Sequence, residues 1–249
     1  MNKISAMVFA AGLGTRLYPL TANKPKALVE YQNKPLIDHV LHKIIKAGIQ
    51  HIVVNVHHFP DLIINYLKEH PYEAEIEISD ERDYLRDTGG GLKFATRFFQ
   101  KSEHILLHNV DILSDIDLNI LINKHIESNA LATLAVRKRT TSRYFLFDKE
   151  MQLCGWRNCK TGEEILSRDA ETCQELAFSG IHIVRRELLD LIPTAEKQSI
   201  TPVYIDLSRN HNLKGFLHNE GHWKDMGKIE DFNNTCVTTP PFGHTLGIA

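Results

Sequence analysis

Residues Ile4 to Ala10 form a largely apolar run, and Ala10-Ala11-Gly12-Leu13-Gly14-Thr15-Arg16-Leu17 completes it at once. A short apolar run that ends in glycines reads as a buried strand, and the small residues after it let the backbone turn sharply. Such a turn presents its N–H groups to an anion. Arg16 adds a planar fork of positive charge and Lys26, ten residues on, a compact one. Together they suit a polyphosphate tail.

Spacing removes two glycine loops from consideration. A Walker A loop requires Gly-Lys-Ser/Thr, whereas Gly14 is followed by Thr15-Arg16. A dinucleotide fingerprint requires a third glycine where Leu17 stands. A bare Gly-x-Gly would equally describe an ordinary strand-to-loop turn. The longer string, running through Pro19-Leu20-Thr21 to Lys24-Pro25-Lys26-Ala27-Leu28, is what singles this stretch out.

With 249 residues, 43% of them hydrophobic and 24% charged, the chain is long enough for one large α/β domain. A formal charge of −2, with charges spread along the chain, argues against a general nucleic-acid surface. The anion site must then be local. No apolar run approaches the ~20 residues that span a bilayer, and no basic segment leads into a signal-peptide core. A cytoplasmic location with no membrane contact is the expectation. Cys154, Cys159, Cys173 and Cys236 lack Cys-x-x-Cys spacing and read as reduced thiols.

In chain order, Asn33-Lys34-Pro35 predicts a helix start with Pro in the first turn, and Ile37, Val40, Leu41, Ile44 and Ile45 share its apolar face. His51–Val56 predicts a second strand, so the opening is strand, loop, helix, strand, the pattern of a parallel α/β sheet. His57-His58 invites a metal reading, but adjacent side chains on an extended chain diverge. Pro60–Glu69 predicts a helix with Leu62, Ile63, Tyr66 and Leu67 inward, and Glu75–Ser79 a strand. Asp87-Thr88-Gly89-Gly90-Gly91 predicts a glycine loop leading into a helix over 92–99, open enough for a base or sugar to lie on backbone amides.

The strand Ile105–His108 ends in Asn109-Val110-Asp111. A carboxylate there lies at the carboxyl edge of the sheet, where open α/β sheets bind ligands. Asp117 is the better candidate to cap the helix that follows. His104 and His108, at opposite ends of a strand, read as strand-end residues. Ala130–Val136 predicts a strand, and Arg137-Lys138-Arg139 after it reads as a solvated rim or, near a phosphate site, as an anion-steering cluster. Tyr144–Asn158 predicts a hairpin and 159–175 a polar loop over a sugar. Phe178–Val184 predicts a strand; helices are expected over 186–192 and 201–208 and a closing helix over 228–234.

The Ala-Ala-Gly-x-Gly-Thr-Arg-Leu-x-Pro-Leu-Thr…Lys-Pro-Lys-Ala-Leu string resembles the signature of the sugar-1-phosphate nucleotidylyltransferases, and later segments extend the resemblance over about residues 4–235. The short members are most similar: N-acetylmuramic acid-1-phosphate uridylyltransferases and mannose- or heptose-1-phosphate guanylyltransferases. The resemblance implies a Rossmann-like three-layer α/β/α fold with a mixed, mostly parallel sheet, similar to glycosyltransferase A. It implies one domain over 1–238, a nucleotide part over about 1–110 and a sugar-phosphate part over about 111–238, with a tail over 239–249.

Residue by residue, the resemblance places Ala10, Ala11, Gly12, Gly14, Thr15, Arg16, Lys26, Thr88, Gly89 and Gly90 around the nucleotide. Asp87, Asn109, Asn158, Ser179 and Gly180 fall near the sugar phosphate. Asp111 corresponds to the metal-holding aspartate of an Asn-Gly-Asp motif, here with Val110 for glycine, and Asp225 of Trp223-Lys224-Asp225-Met226-Gly227 to the second aspartate. Both would hold Mg²⁺, and Arg16, Lys26, Asp111 and Asp225 form the implied catalytic set. Where many members carry Glu-Lys-Pro, with a lysine on the sugar phosphate, this chain has Gly155-Trp156-Arg157-Asn158. Arg157 or Asn158 is the candidate substitute.

These residues predict an enzyme that joins a nucleoside triphosphate to a sugar 1-phosphate with release of pyrophosphate. UTP with N-acetylmuramic acid 1-phosphate, in cell-wall sugar salvage, is the expected pair. GTP with mannose or heptose 1-phosphate is the alternative. A cytidylyltransferase for phosphocholine would want an aromatic cage, for which Trp156, Tyr144 and Phe178 are the available rings. A non-catalytic nucleotide-sensing subunit is the non-enzyme alternative. With no hexapeptide repeats after the closing helix, a monomer or homodimer is expected.

Overall fold

Alternate residues of the first strand, β1 (Ile4–Phe9), enter two separate apolar clusters in the computed structural model, which describes residues 3–170, 172–194 and 197–233. Ala6 and Val8 join one cluster, Met7 and Phe9 the other. Period-2 alternation with both faces apolar requires cover on both sides. The helices supply it, giving three layers.

After β1 the chain makes a small ribbon, β2 (Glu30–Tyr31) with β3 (Lys34–Pro35), and then helix α1 (Leu36–Lys46). Pro35 is therefore in the ribbon and stands before the first helical residue, not in the first turn as expected. Leu36, Ile37, Val40, Leu41 and Ile44 of α1 are buried, each contributing about 1.5–3 kcal/mol of apolar burial. Strand β4 (His51–Val56) and helix α2 (Pro60–Glu69) fall where predicted. On α2 only Ile63 is fully buried, while Leu62 is exposed, because the helix lies at the sheet margin. Strand β5 (Glu75–Asp80) follows.

The three glycines are not a loop. They lie within helix α3 (Asp87–Phe94), which a 3₁₀ turn over Ala95–Phe99 extends. Next come β6 (His104–Asn109), the short β7 (Ile112–Ser114) and α4 (Leu118–Ser128). Asp117 caps α4 as predicted, its carboxylate accepting from the Asn119 and Ile120 amides. Strands β8 (Ala132–Arg137), β9 (Arg143–Phe147), β10 (Leu153–Asn158), β11 (Glu163–Leu166) and the long β12 (Gln174–Arg185) follow. The expected polar loop over 159–175 thus contains β11, an edge strand paired antiparallel with β10. Helices α5 (Leu188–Leu191) and α6 (Ile200–Leu207), strands β13 (Leu213–Leu217) and β14 (Trp223–Asp225) and helix α7 (Glu230–Asn233) complete the described chain. Cys236 and the expected tail lie outside the described residues.

The main sheet runs β11-β10-β9-β12-β6-β1-β4-β5, with β8 beside β12 and β13 beside β8. By their pairings all its strands run one way except β10 and β12. Helices α1, α2 and α4 cover one face, α3, α5 and α6 the other. From β1 the chain proceeds outward to β4 and β5, then returns to β6 on the opposite flank. That reversal makes a crevice at the carboxyl ends of β1 and β6, the usual ligand position in such sheets.

Candidate active site

The β1–β6 register sets Phe9 opposite Asn109, so the glycine loop and the Asn109-Val110-Asp111 turn leave the sheet side by side. Between them lies a cavity of about 300 Å³ lined by Ala10, Ala11, Gly12, Lys26, Asn55, Asp87, Thr88, Asn109, Asp111 and Lys197 among others. A larger groove, about 630 Å³, lies between α1 and the β7–α4 segment and shares no residue with it. There Lys43 already donates to the Ser114 and Ile116 carbonyls, and burial lowers its pKa to about 8.

The loop is held at both ends. Gly14 has φ +66°, a left-handed conformation that favours glycine, and its carbonyl accepts from the Thr21 hydroxyl at 2.9 Å. A methyl at Gly14 would fall 3.3 Å from the Lys26 Cβ, so the bare backbone brings the loop against Lys26. Leu17 is fully buried and anchors the far end, while Gly12, Thr15 and Arg16 stay exposed. The Ala10 amide is directed elsewhere: it donates to the Asn55 side-chain oxygen at 2.8 Å.

Lys26 sits in a 3₁₀ turn, nearly buried, and its ammonium donates to the Asp111 carboxylate. Asp225 is brought to the same place by backbone pairing. On the β7–β14 ribbon it lies opposite Ile112, and the Met226 amide donates to the Asp111 carbonyl at 2.8 Å. A methyl at Gly227 would fall 2.7 Å from Asp225 Oδ1 and 2.9 Å from Arg16 Nη2. Glycine there lets the Arg16 fork and the Asp225 carboxylate both approach one backbone position. Of the implied catalytic set, Lys26 and Asp111 thus line the cavity, while Asp225 and Arg16 come close to each other at Gly227.

Other expected site residues stand differently. The Gly89 and Gly90 amides both donate to the Gln198 carbonyl, at 2.9 and 3.0 Å, and the Thr88 hydroxyl accepts from the Ile200 amide. The glycines dock α3 onto the start of α6 and do not offer free amides to a ligand. Asp87, at φ +61°, and Thr88 still line the cavity. Ser179 is fully buried; His218 shares a hydrogen bond with its hydroxyl, and its carbonyl accepts from the Trp223 indole. Gly180 has φ +74° in a β12 bulge, and a methyl there would meet Ile112 at 2.7 Å and the Asn109 amide nitrogen at 3.0 Å. Its role is to seat Asn109.

Neither candidate for the missing lysine is available. Asn158 is buried at the end of β10, its oxygen accepting from the Lys160 amide in the turn to β11. Arg157 is bonded to both Glu164 and Glu175. The basic cluster, by contrast, is not a simple rim: Arg137 and Arg139 turn onto the Trp223 ring, leaving only Lys138 exposed.

Sequence reading missed Asn55 and Glu81. Asn55 accepts from Ala10 and donates to Glu81 at 2.8 Å, and Glu81 is fully buried, so burial raises its carboxyl pKa. The one sequence signal was an Asn inside an otherwise apolar strand end, at the same edge as the loop.

Residues 5–239 match the nucleotidyl transferase family. The chain belongs to that family. It is 33% identical to the N-acetylmuramate alpha-1-phosphate uridylyltransferase of Caulobacter vibrioides, over 89% of this chain and 91% of that protein. It is 30% identical to the mannose-1-phosphate guanyltransferase of Debaryomyces hansenii, over 94% of this chain and 64% of that protein. The nucleotidyl transferase chain therefore spans under two-thirds of the guanyltransferase's length. Among solved structures it resembles HddC from Yersinia pseudotuberculosis complexed with GMP-PN, with TM-score 0.73, 19% identity and coverage of 94% and 98%. It also resembles UDP-glucose pyrophosphorylase from Acinetobacter baumanii, with TM-score 0.75, 18% identity and coverage of 94% and 91%. These likenesses show the shared fold.

Proposed function

We propose that the chain transfers a nucleotidyl group from a nucleoside triphosphate to a sugar 1-phosphate, releasing pyrophosphate, with UTP and N-acetylmuramic acid 1-phosphate as its pair. The observation that carries this is the Lys26–Asp111 pair lining the cavity at the β1–β6 crevice, with Asp225 brought beside Asp111 by the β7–β14 ribbon and Arg16 beside Asp225 at Gly227. The relative aligned over 91% of its own length supports the choice of substrates.

The chemistry asks for little beyond charge control. A sugar phosphate oxygen is already ionised at neutral pH and attacks the α-phosphorus in line as pyrophosphate leaves, so no general base is obligatory. Bringing two polyanions together is the obstacle, and positioning with charge neutralisation overcomes it. The loop from Gly12 to Thr15, with Arg16, holds the β- and γ-phosphates and the departing pyrophosphate. Lys26 lies between this loop and Asp111, the position from which it steadies the α-phosphate and the incoming oxygen.

Asp111 and Asp225 fit Mg²⁺, which takes one or two carboxylates and completes its shell with phosphates and water. When bound, the ion supplies Lewis-acid neutralisation of phosphate charge.

The guanylyl reading, GTP with mannose or heptose 1-phosphate, is favoured by the longer guanyltransferase relatives and by the GMP-PN complex of a structural neighbour. The phosphocholine reading loses its cage: Trp156 and Phe178 pack against the larger core, and the Tyr144 hydroxyl accepts from the Thr141 amide. Pyrophosphate release with Mg²⁺ decides between pairs, crossing UTP, GTP, CTP and dTTP with N-acetylmuramic acid, N-acetylglucosamine, glucose, mannose and heptose 1-phosphates and phosphocholine. Release with UTP and N-acetylmuramic acid 1-phosphate is expected. Nucleotide binding without release from any pair would favour a sensing subunit.

A further inference from the structure

The acceptor phosphate needs a cation, and the position that carries a lysine in many family members offers none here. Arg157 is bound to two carboxylates and Asn158 closes a turn. Beyond β8, Arg139 lies with its guanidinium 4.5 Å from the centre of the Trp223 ring. It is half-buried, and one of its terminal nitrogens donates to the Phe178 carbonyl at 3.0 Å. Its Nε is buried without a hydrogen-bond partner, and no carboxylate among the described residues lies within ion-pair distance of it. A partly desolvated guanidinium with a single neutral acceptor is costly unless an anion completes its shell.

Its place in the fold says which anion. Trp223 and Asp225 are two apart on β14 and so share a face, which puts Arg139 on the side of the ribbon that carries Asp225. The Asp225 charge reaches it, opposing the lowering of its pKa by burial. Phe178, which it holds, begins the β12 bulge whose Gly180 packs on Asn109. Arg139 does not line the nucleotide cavity. It therefore stands on the Asp225 side of the ribbon and outside the lining of that cavity.

Resting on the nucleotidyl-transfer reading, we infer that Arg139 binds the phosphate of the incoming sugar 1-phosphate, supplying from the end of β8 the positive charge that other members supply from the strand occupied here by Arg157. Stacking on Trp223 fixes the plane of the fork, and a fork of fixed plane can bond two phosphate oxygens at once. Lysine, a point charge without that plane, replaces it only in part.

The test compares wild type with R139A, R139K and R157A. With the productive substrate pair, R139A raises KM for the sugar 1-phosphate about 10- to 100-fold, the range for a lost charge-assisted contact, and leaves nucleotide affinity unchanged. R139K recovers part of the loss, R157A stays within about 2-fold, and thermal unfolding shows all variants folded. A second readout needs no turnover: quenching of tryptophan fluorescence by N-acetylmuramic acid 1-phosphate, then by mannose 1-phosphate, with a non-hydrolysable nucleotide present. Quenching in wild type and R157A that R139A abolishes supports the inference, even if no pair releases pyrophosphate, in which case it is the catalytic reading that falls. An unchanged acceptor KM or unchanged quenching in folded R139A overturns it, as does the absence of sugar-phosphate binding to wild type.

Discussion

The Lys26 ammonium donates to the Asp111 carboxylate, joining residues 85 positions apart across the mouth of the nucleotide cavity. One side comes from a 3₁₀ turn after the glycine loop, the other from the turn after β6. The contact ties the loop side of the cavity to the β6 side.

Removing either aspartate should remove transition-state stabilisation without unfolding the protein, because Asp111 lies in the turn after β6 and Asp225 at the end of the short β14, and neither backbone position depends on its carboxylate. Asp111→Asn and Asp225→Asn are each expected to lower kcat about 10³-fold or more, and Lys26→Ala about 10²- to 10³-fold. Steady-state rates of pyrophosphate release check this, with nucleotide affinity measured alongside. Near wild-type turnover in Asp225→Asn would remove it from the catalytic set.

Asn55→Ala should affect stability and nucleotide binding together. It strips the Ala10 amide of its acceptor and the buried Glu81 carboxylate of a donor. A loss of about 1–3 kcal/mol is expected, read as a shift in the urea midpoint, together with a higher dissociation constant for the triphosphate. Weakened stability with unchanged nucleotide affinity would show Asn55 to be scaffold only.

Gly180→Ala forces a side chain into a left-handed position and against Asn109 and Ile112. The expected cost is about 1–3 kcal/mol of stability, with a rise in KM for the sugar phosphate as Asn109 moves. Chemical denaturation and kinetics on the same preparation separate the two effects. A variant as stable as wild type would refute the packing account.

Acid should unfold the protein early. Burial lowers His108 and His218 to about 4 and His125 and His182 to about 3, against an ordinary value of 6.5. A depressed folded pKa means that below pH ~6.5 the unfolded chain binds the extra protons. The stability these neutral imidazoles contribute is complete above that pH and falls as pH drops towards 4, by about 1.4 kcal/mol per pH unit for each fully titrating group. Urea midpoints at pH 7.5, 6 and 5 should decline steeply. Equal midpoints at pH 7.5 and 5 would contradict the burial of these rings.

Local patterns in the sequence determined a good deal. A continuous apolar run marked β1, helical spacing of apolar residues marked α1, and Asp117 was legible as a cap because capping is a contact between near neighbours. The glycine loop with Arg16 and Lys26, and the Asn109-Val110-Asp111 turn at a strand's carboxyl end, pointed to a phosphate crevice for the same reason. Tertiary structure alone decided the remainder. Whether the Gly89 and Gly90 amides face a ligand or Gln198, and whether Arg157 or Arg139 lacks an anionic partner, depends on strand register and helix docking. Contacts such as Asn55 with the Ala10 amide, or Arg139 with Trp223, join residues 45 or more positions apart, and no local propensity encodes which distant partners the packed sheet brings together.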